Sequence, residues 1–149
     1  MPIPVGFEAF CKYLDGRVED STCVFDAGRD NAWNHDATWA IGAYLEKTND
    51  RKHRFVIVGR NGKEKIVVEP IEGGYIIRFE GVYPIKVRES KTITRKMDGI
   101  TLRASIARGS NAITCEALVK GKLNARLLED IVGEFVDMIR ELSEAVEVY

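Results

Sequence analysis

From Leu123 to Val146, apolar residues recur at steps of three and four: Leu123, Leu127, Leu128, Ile131, Val132, Phe135, Ile139, Leu142 and Val146. That spacing lays them along one stripe of an α-helix. Arg126, Glu129, Asp130, Glu134, Asp137, Glu141 and Glu144 fall on the other side. A helix this long and this two-faced needs a broad apolar partner. A second, shorter stripe (Phe7, Phe10, Cys11, Leu14) predicts a helix over 6–14, ended by Asp15-Gly16. Residues 36–46 fit two periods. Ala37, Ala40, Ile41, Tyr44 and Leu45 make a helical stripe, while Trp39, Ile41, Ala43 and Leu45 make a strand face. Asp36 as an N-cap, three alanines and Asn49 past the end favour the helix.

Between residues 53 and 120 the pattern changes to period two. Val18 and Cys23-Val24-Phe25 offer one short strand beforehand, and Gly28-Arg29-Asp30-Asn31 a loop. Strands centred on Phe55–Val58, Ile66–Val68 and Tyr75–Phe79 are separated by Asn61-Gly62 and Gly73-Gly74. Ile85 and Val87 continue the alternation, and Thr92–Met97 and Ile100–Ala107 flank the hairpin dipeptide Asp98-Gly99. Ala112–Lys120 follows. About six strands with short connections predict an antiparallel sheet.

Parity divides that sheet into two faces. One collects Phe55, Ile57, Ile66, Val68, Tyr75, Ile77, Phe79, Ile85, Val87, Ile100, Leu102, Ile106, Ile113, Cys115 and Val119, the natural seat of the C-terminal helix. The other carries Arg54, Arg60, Lys65, Arg78, Lys86, Arg88, Lys96, Arg103 and Lys120 against Glu69, Glu80 and Glu116, with Val56, Val58, Val67, Ile76 and Leu118 among them. Those aliphatics imply that something covers part of this face, either residues 36–46 or a second subunit. The expected fold is therefore α+β: N-terminal helical elements, an antiparallel sheet of about six strands, and a long C-terminal helix packed on one face.

Composition adds bounds. The 149 residues fit a single domain that buries roughly 70% of its unfolded surface. No apolar run approaches the ~20 residues of a membrane span, and Met1–Gly6 has no signal-peptide pattern, so a cytoplasmic location is expected. Cys11, Cys23 and Cys115 are few, odd in number and without a C-x-x-C spacing, and are read as small buried apolar residues. The absence of glutamine beside abundant Glu, Lys and Arg is compatible with a thermophilic source. Charge changes the picture most. Residues 1–50 carry 4 basic and 9 acidic side chains, residues 51–122 carry 16 and 7, and residues 123–149 carry 2 and 7. Acidic ends flank a basic middle.

Several groups of residues are candidates for chemistry. The basic face residues Arg54, Arg60, Arg78, Lys86, Arg88, Lys96 and Arg103 suit an acidic protein partner or a homodimer contact. Nucleic acid is less favoured, because the face carries no aromatic stacking platform. Asp26, Arg29, Asp30, Asn31, Asn34, His35 and Asp36, bordered by Trp33 and Trp39, match no metal motif and read as turns and caps. His53 stands among Arg51, Lys52 and Arg54, with no evident partner that would make it a base. Two known architectures share the overall outline: the helix-grip domain and a small dimeric chaperone fold. The expectation is a non-enzymatic binding or assembly module, homodimeric, without cofactor or metal. The alternative is an apolar-ligand cavity lined by Tyr75, Phe79 and Phe135. An enzyme built on the 26–36 cluster ranks third.

Overall fold

A computed structural model of the chain describes residues 3–85 and 87–145. The expectations for Lys86 and Val146 lie outside them. The fold is α+β, with a mostly antiparallel sheet and a long C-terminal helix packed on it. The elements run α1 (Phe7–Tyr13), β1 (Arg17–Glu19), β2 (Thr22–Asp26), α2 (His35–Thr48), β3 (Arg54–Gly59), β4 (Glu64–Ile71), β5 (Gly74–Val82), β6 (Lys91–Met97), β7 (Ile100–Ile106), β8 (Ala112–Lys120) and α3 (Ala125–Ala145).

The sheet has eight strands in the order β1-β2-β3-β4-β5-β8-β7-β6. The expected six are exceeded because β1 and β2 join the near end. All neighbours pair antiparallel except β2 and β3, which are parallel and joined through α2. That single parallel pair explains why a helix must intervene between them. Most of the predicted inner face is buried: Phe55, Ile57, Ile66, Val68, Tyr75, Ile77, Phe79, Leu102, Ile106, Ile113, Cys115 and Val119 are all at most 2% exposed, while Ile100 is only half-buried. Ile85 and Val87 do not form a strand. Val87 makes only an isolated bridge and is buried, and the segment after β5 carries the chain past β8 and β7 to the far edge.

Residues 36–46 are helical, and the period of 3.6 decides it. Ala37, Ala40, Ile41, Tyr44 and Leu45 are buried while Trp39 stays exposed. Asn34, not Asp36, is the N-cap, its side chain accepting from Ala37 N at 2.9 Å, and Asn49 adopts the left-handed conformation at the other end. α2 lies on the inner side beside α3. A Cβ at Gly42 would stand 2.4 Å from Ala125 Cα, so the two helix backbones touch there. His35 meets Glu129 at 2.9 Å further along, which makes the pair antiparallel. α1 completes the layer, with Phe10 stacked on Tyr44 (centroids 4.4 Å apart) and edge-on to Phe55 (5.8 Å).

One expectation is overturned here. Cys11 and Cys23 are not independent apolar fillers: they form a disulfide, Cα–Cα 5.7 Å, that ties α1 to β2. The tight turn through Asp15, in the left-handed region at φ 64°, folds the chain back and brings the two sulfurs together. Cys115 alone remains free, buried in the core.

Candidate functional site

Both long helices lie on the inner side, so neither covers the outer face of the sheet; there Val24, Val56 and Ile76 are buried while Leu118 is exposed. Register fixes what that face presents. One row runs Val56, Val67, Arg78, Glu116, Arg103, Thr94 across six strands. The next runs Val58, Lys65, Glu80, Thr114, Ser105, Thr92. The surface thus grades from aliphatic through charged to hydroxyl-bearing.

The charged middle is concave. A depression of about 660 Å³ is lined by Arg54, Lys65, Arg78, Arg103, Glu80, Glu116, Val67 and Leu118, among others. Arg78 stands 3.7 Å from Glu116 and 3.9 Å from Glu69, distances of loose surface pairs. Arg54, Lys65 and Arg103 have no ion pair among the described residues. Leu118 is 48% exposed, and it also lines a second concavity of about 800 Å³. This one is bordered by Trp39 of α2, the Asp98-Gly99 turn, Lys120, Lys122 and the start of α3 with Arg126. Trp39 is 46% exposed. Two apolar anchors, Trp39 and Leu118, therefore stand on adjoining depressions edged by cations.

Of the residues marked in the sequence, Arg54, Arg78 and Arg103 meet in the first depression. Lys96 is exposed on the same face of β6, at the edge, and Arg88 is exposed in the connection before it. Arg60 goes elsewhere. A left-handed turn at Arg60 and Asn61 (φ 47° and 55°) swings it to the end of the sheet. There its guanidinium lies over the Tyr83 ring and 3.6 Å from Glu64. Glu64 is fully buried and accepts from Tyr83 Oη (2.9 Å), Ala32 N (3.2 Å) and Asn31 Nδ2 (3.4 Å). Burial, then the bond to Glu64, pushes the Tyr83 hydroxyl's pKa upward. This buried carboxylate pins the 27–34 loop to the sheet. Parity counting misses such a contact because it treats every strand end as a continuation.

Tyr75, Phe79 and Phe135 are each at most 1% exposed, within the packed core between sheet and helices. Tyr75 Oη donates to Asp50 O at 2.8 Å, and neither depression includes Tyr75 or Phe135.

The 26–36 cluster disperses into local roles. Asp26 accepts from Gly28 N at 2.8 Å, Asn31 turns to Glu64, Asn34 caps α2, and His35 pairs with Glu129 on α3. Trp33 packs on Phe79. Among the described residues no three His, Cys, Asp or Glu side chains converge as metal ligands.

His53, by contrast, does have a partner. Its Nδ1 lies 2.7 Å from Asp50 Oδ2, and its ring stacks on Phe7 with centroids 3.7 Å apart. Asp50 also accepts from Tyr44 Oη (2.7 Å), Lys52 N (2.8 Å) and His53 N (3.1 Å). Burial raises the Asp50 pKa, but these donors outweigh it and hold the carboxyl below the ordinary 3.8. Arg51 lies over the Tyr75 ring and donates to Gly74 O and Gly121 O. With its carboxylate saturated and its neighbours bound to β5 and the end of β8, residues 49–53 form a clamp between α2 and the sheet. The Asp-x-x-His spacing was the available signal. Comparison of the chain with protein-family models, curated proteins and solved structures finds no match.

Proposed function

We propose that this protein is a non-enzymatic binding module that docks an acidic, partly apolar segment of a partner protein on the open face of its sheet. The observation that carries this is the open depression lined by Arg54, Lys65 and Arg103, unpaired among the described residues, together with exposed Leu118. Acidic side chains of a ligand gain those cations, and apolar ones gain Leu118 and Trp39. Glu80 and Glu116 in the same depression, which has no exposed aromatic ring in its lining, favour a peptide over a phosphate backbone. A homodimer in which the acidic side of α3 lies on this face is less favoured, because Glu129 is engaged by His35, and Glu134 and Glu141 by Arg95, within one chain.

No described helix is long and apolar enough to cross a membrane. A cytoplasmic site for a chain holding Cys11–Cys23 fits a hyperthermophilic source, where intracellular disulfides are common. That fits the glutamine-free, Glu/Lys/Arg-rich composition as well.

Fluorescence anisotropy with labelled peptides tests the reading, using peptides in which Glu alternates with Leu or Val and the same peptides with Lys in place of Glu. The acidic series binds, weakens as salt rises, and loses roughly tenfold in affinity on Arg103→Glu or Lys65→Glu. Equal binding of both series, or tighter binding of oligothymidylate, overturns it.

A further inference from the structure

β6 ends the sheet, and beyond it there is no neighbouring strand among the described residues. The opposite end is closed by β1, only three residues long, too short to template much pairing. β6 is seven residues long, with no proline and no break in its pairing to β7.

The hairpin turn tells which of its backbone groups point outward. Asp98 and Gly99 form a two-residue turn with φ of 50° and 79°, and Met97 faces Ile100 across it. In such a hairpin the flanking pair exchanges both hydrogen bonds, and bonded and non-bonded pairs then alternate along the ladder. Met97, Arg95, Ile93 and Lys91 therefore bond to β7. The N–H and C=O groups of Lys96, Thr94 and Thr92 face away from it.

We propose that β6 pairs antiparallel with β6 of a second copy of the chain, centred on Thr94, so that the two sheets become one. In this register Thr94 lies opposite Thr94 of the partner subunit, and Thr92 opposite Lys96 of the partner subunit. Each of these pairs is formed by residues whose backbone groups point outward, so the free donors and acceptors of the edge are matched. On the inner face Ile93 lies opposite Arg95 of the partner subunit and Lys91 opposite Met97 of the partner subunit. No like charges oppose each other, and Thr–Thr is a favourable cross-strand pair. Centring on Lys96 instead sets two lysines face to face. Arg95 is held by Glu134 and Glu141 of its own α3, which neutralises the inner side of the junction. Ile93 and Met97, half-buried at the margin of the core, gain cover. The outer depressions of both copies then lie on the same side of one continuous sheet.

Sedimentation of the full-length chain at tens of micromolar tests this, separately from peptide binding, because mass is read without any ligand. The wild type sediments as a dimer. Thr94→Pro removes an outward N–H without touching the β7 ladder, and gives a monomer with an unchanged circular dichroism spectrum. Thr94→Lys and Thr94→Glu are each monomeric, since like charges meet at the axis, and an equimolar mixture of the two restores the dimer. This last pair stands even where the proline variant fails to fold. A monomeric wild type, a dimer indifferent to Thr94→Lys, or a mixture that stays monomeric each overturns the proposal.

Discussion

Gly42 and Gly133 both sit inside helices, yet a methyl group meets opposite fates at the two positions. At Gly133 nothing lies within 4 Å of an added Cβ. Gly133→Ala should raise stability by about 0.5–1 kcal/mol by restricting the unfolded chain. At Gly42 the Cβ would overlap the backbone of Ala125. Gly42→Ala should lower stability by roughly 1–3 kcal/mol despite its better helix propensity. Urea unfolding midpoints check both, and equal shifts of the same sign would contradict the α2–α3 contact. Asp50 supports a pH prediction. Its folded pKa is depressed below 3.8, so its contribution is present above about pH 4 and is lost as pH falls through the lowered value. Asp50→Asn should cost roughly 1.5–3 kcal/mol at neutral pH, as expected for hydrogen bonds to a charged acceptor. It should also flatten the acid limb of a stability–pH curve. Gly42 does not declare its role in the sequence, because the contact depends on how α2 docks on α3; for Asp50 only the spacing to His53 hinted at it.

Among the elements, α3 and the strands β3 to β8 were legible because their signals are local: a 3.6 period, a period of two, and Asp98-Gly99 at a turn; the crossing from β5 to β6 was not, and Ile85 and Val87 read as strand there. The inner face followed from parity alone. β1 and β2 were only hinted at, since β2 is held by a parallel partner on the far side of α2 and no neighbouring pattern announces that pairing. α2 was ambiguous because Ile41 and Leu45 fit both periods. Burial of Ala37, Ala40 and Tyr44 with them, against α1 and β3, settles it. The Cys11–Cys23 bond was hidden for a similar reason, as it depends on how α1 docks against β2. Replacing both cysteines by serine should lower stability by about 3 kcal/mol, given the short loop closed. The melting temperature should fall by roughly 6–12 °C. A reductant should reproduce that shift in the wild type and leave the double variant unmoved. Cys115, its thiol pushed up to about 12 by burial, should resist alkylation as long as the protein stays folded.

At the scale of the molecule, the charge blocks of the sequence become layers. The acidic ends supply much of the helical side, and the basic middle supplies the sheet. The open face was legible as a set of residues; its curvature and the departure of Arg60 were not, because twist and left-handed turns lie outside a parity count. The strand order carries one more consequence. β8 follows β5, β6 and β7 in the chain yet lies between β5 and β7 inside the sheet. A ribosome that has released β5 must extend the chain by some thirty more residues before β8 can begin to emerge. At ~5–20 residues per second that leaves the edge of β5 without its neighbour for seconds. The half-sheet of β1 to β5 is thus held open at the edge of β5 during synthesis, an unpaired apolar ledge until β8 slots in and closes it.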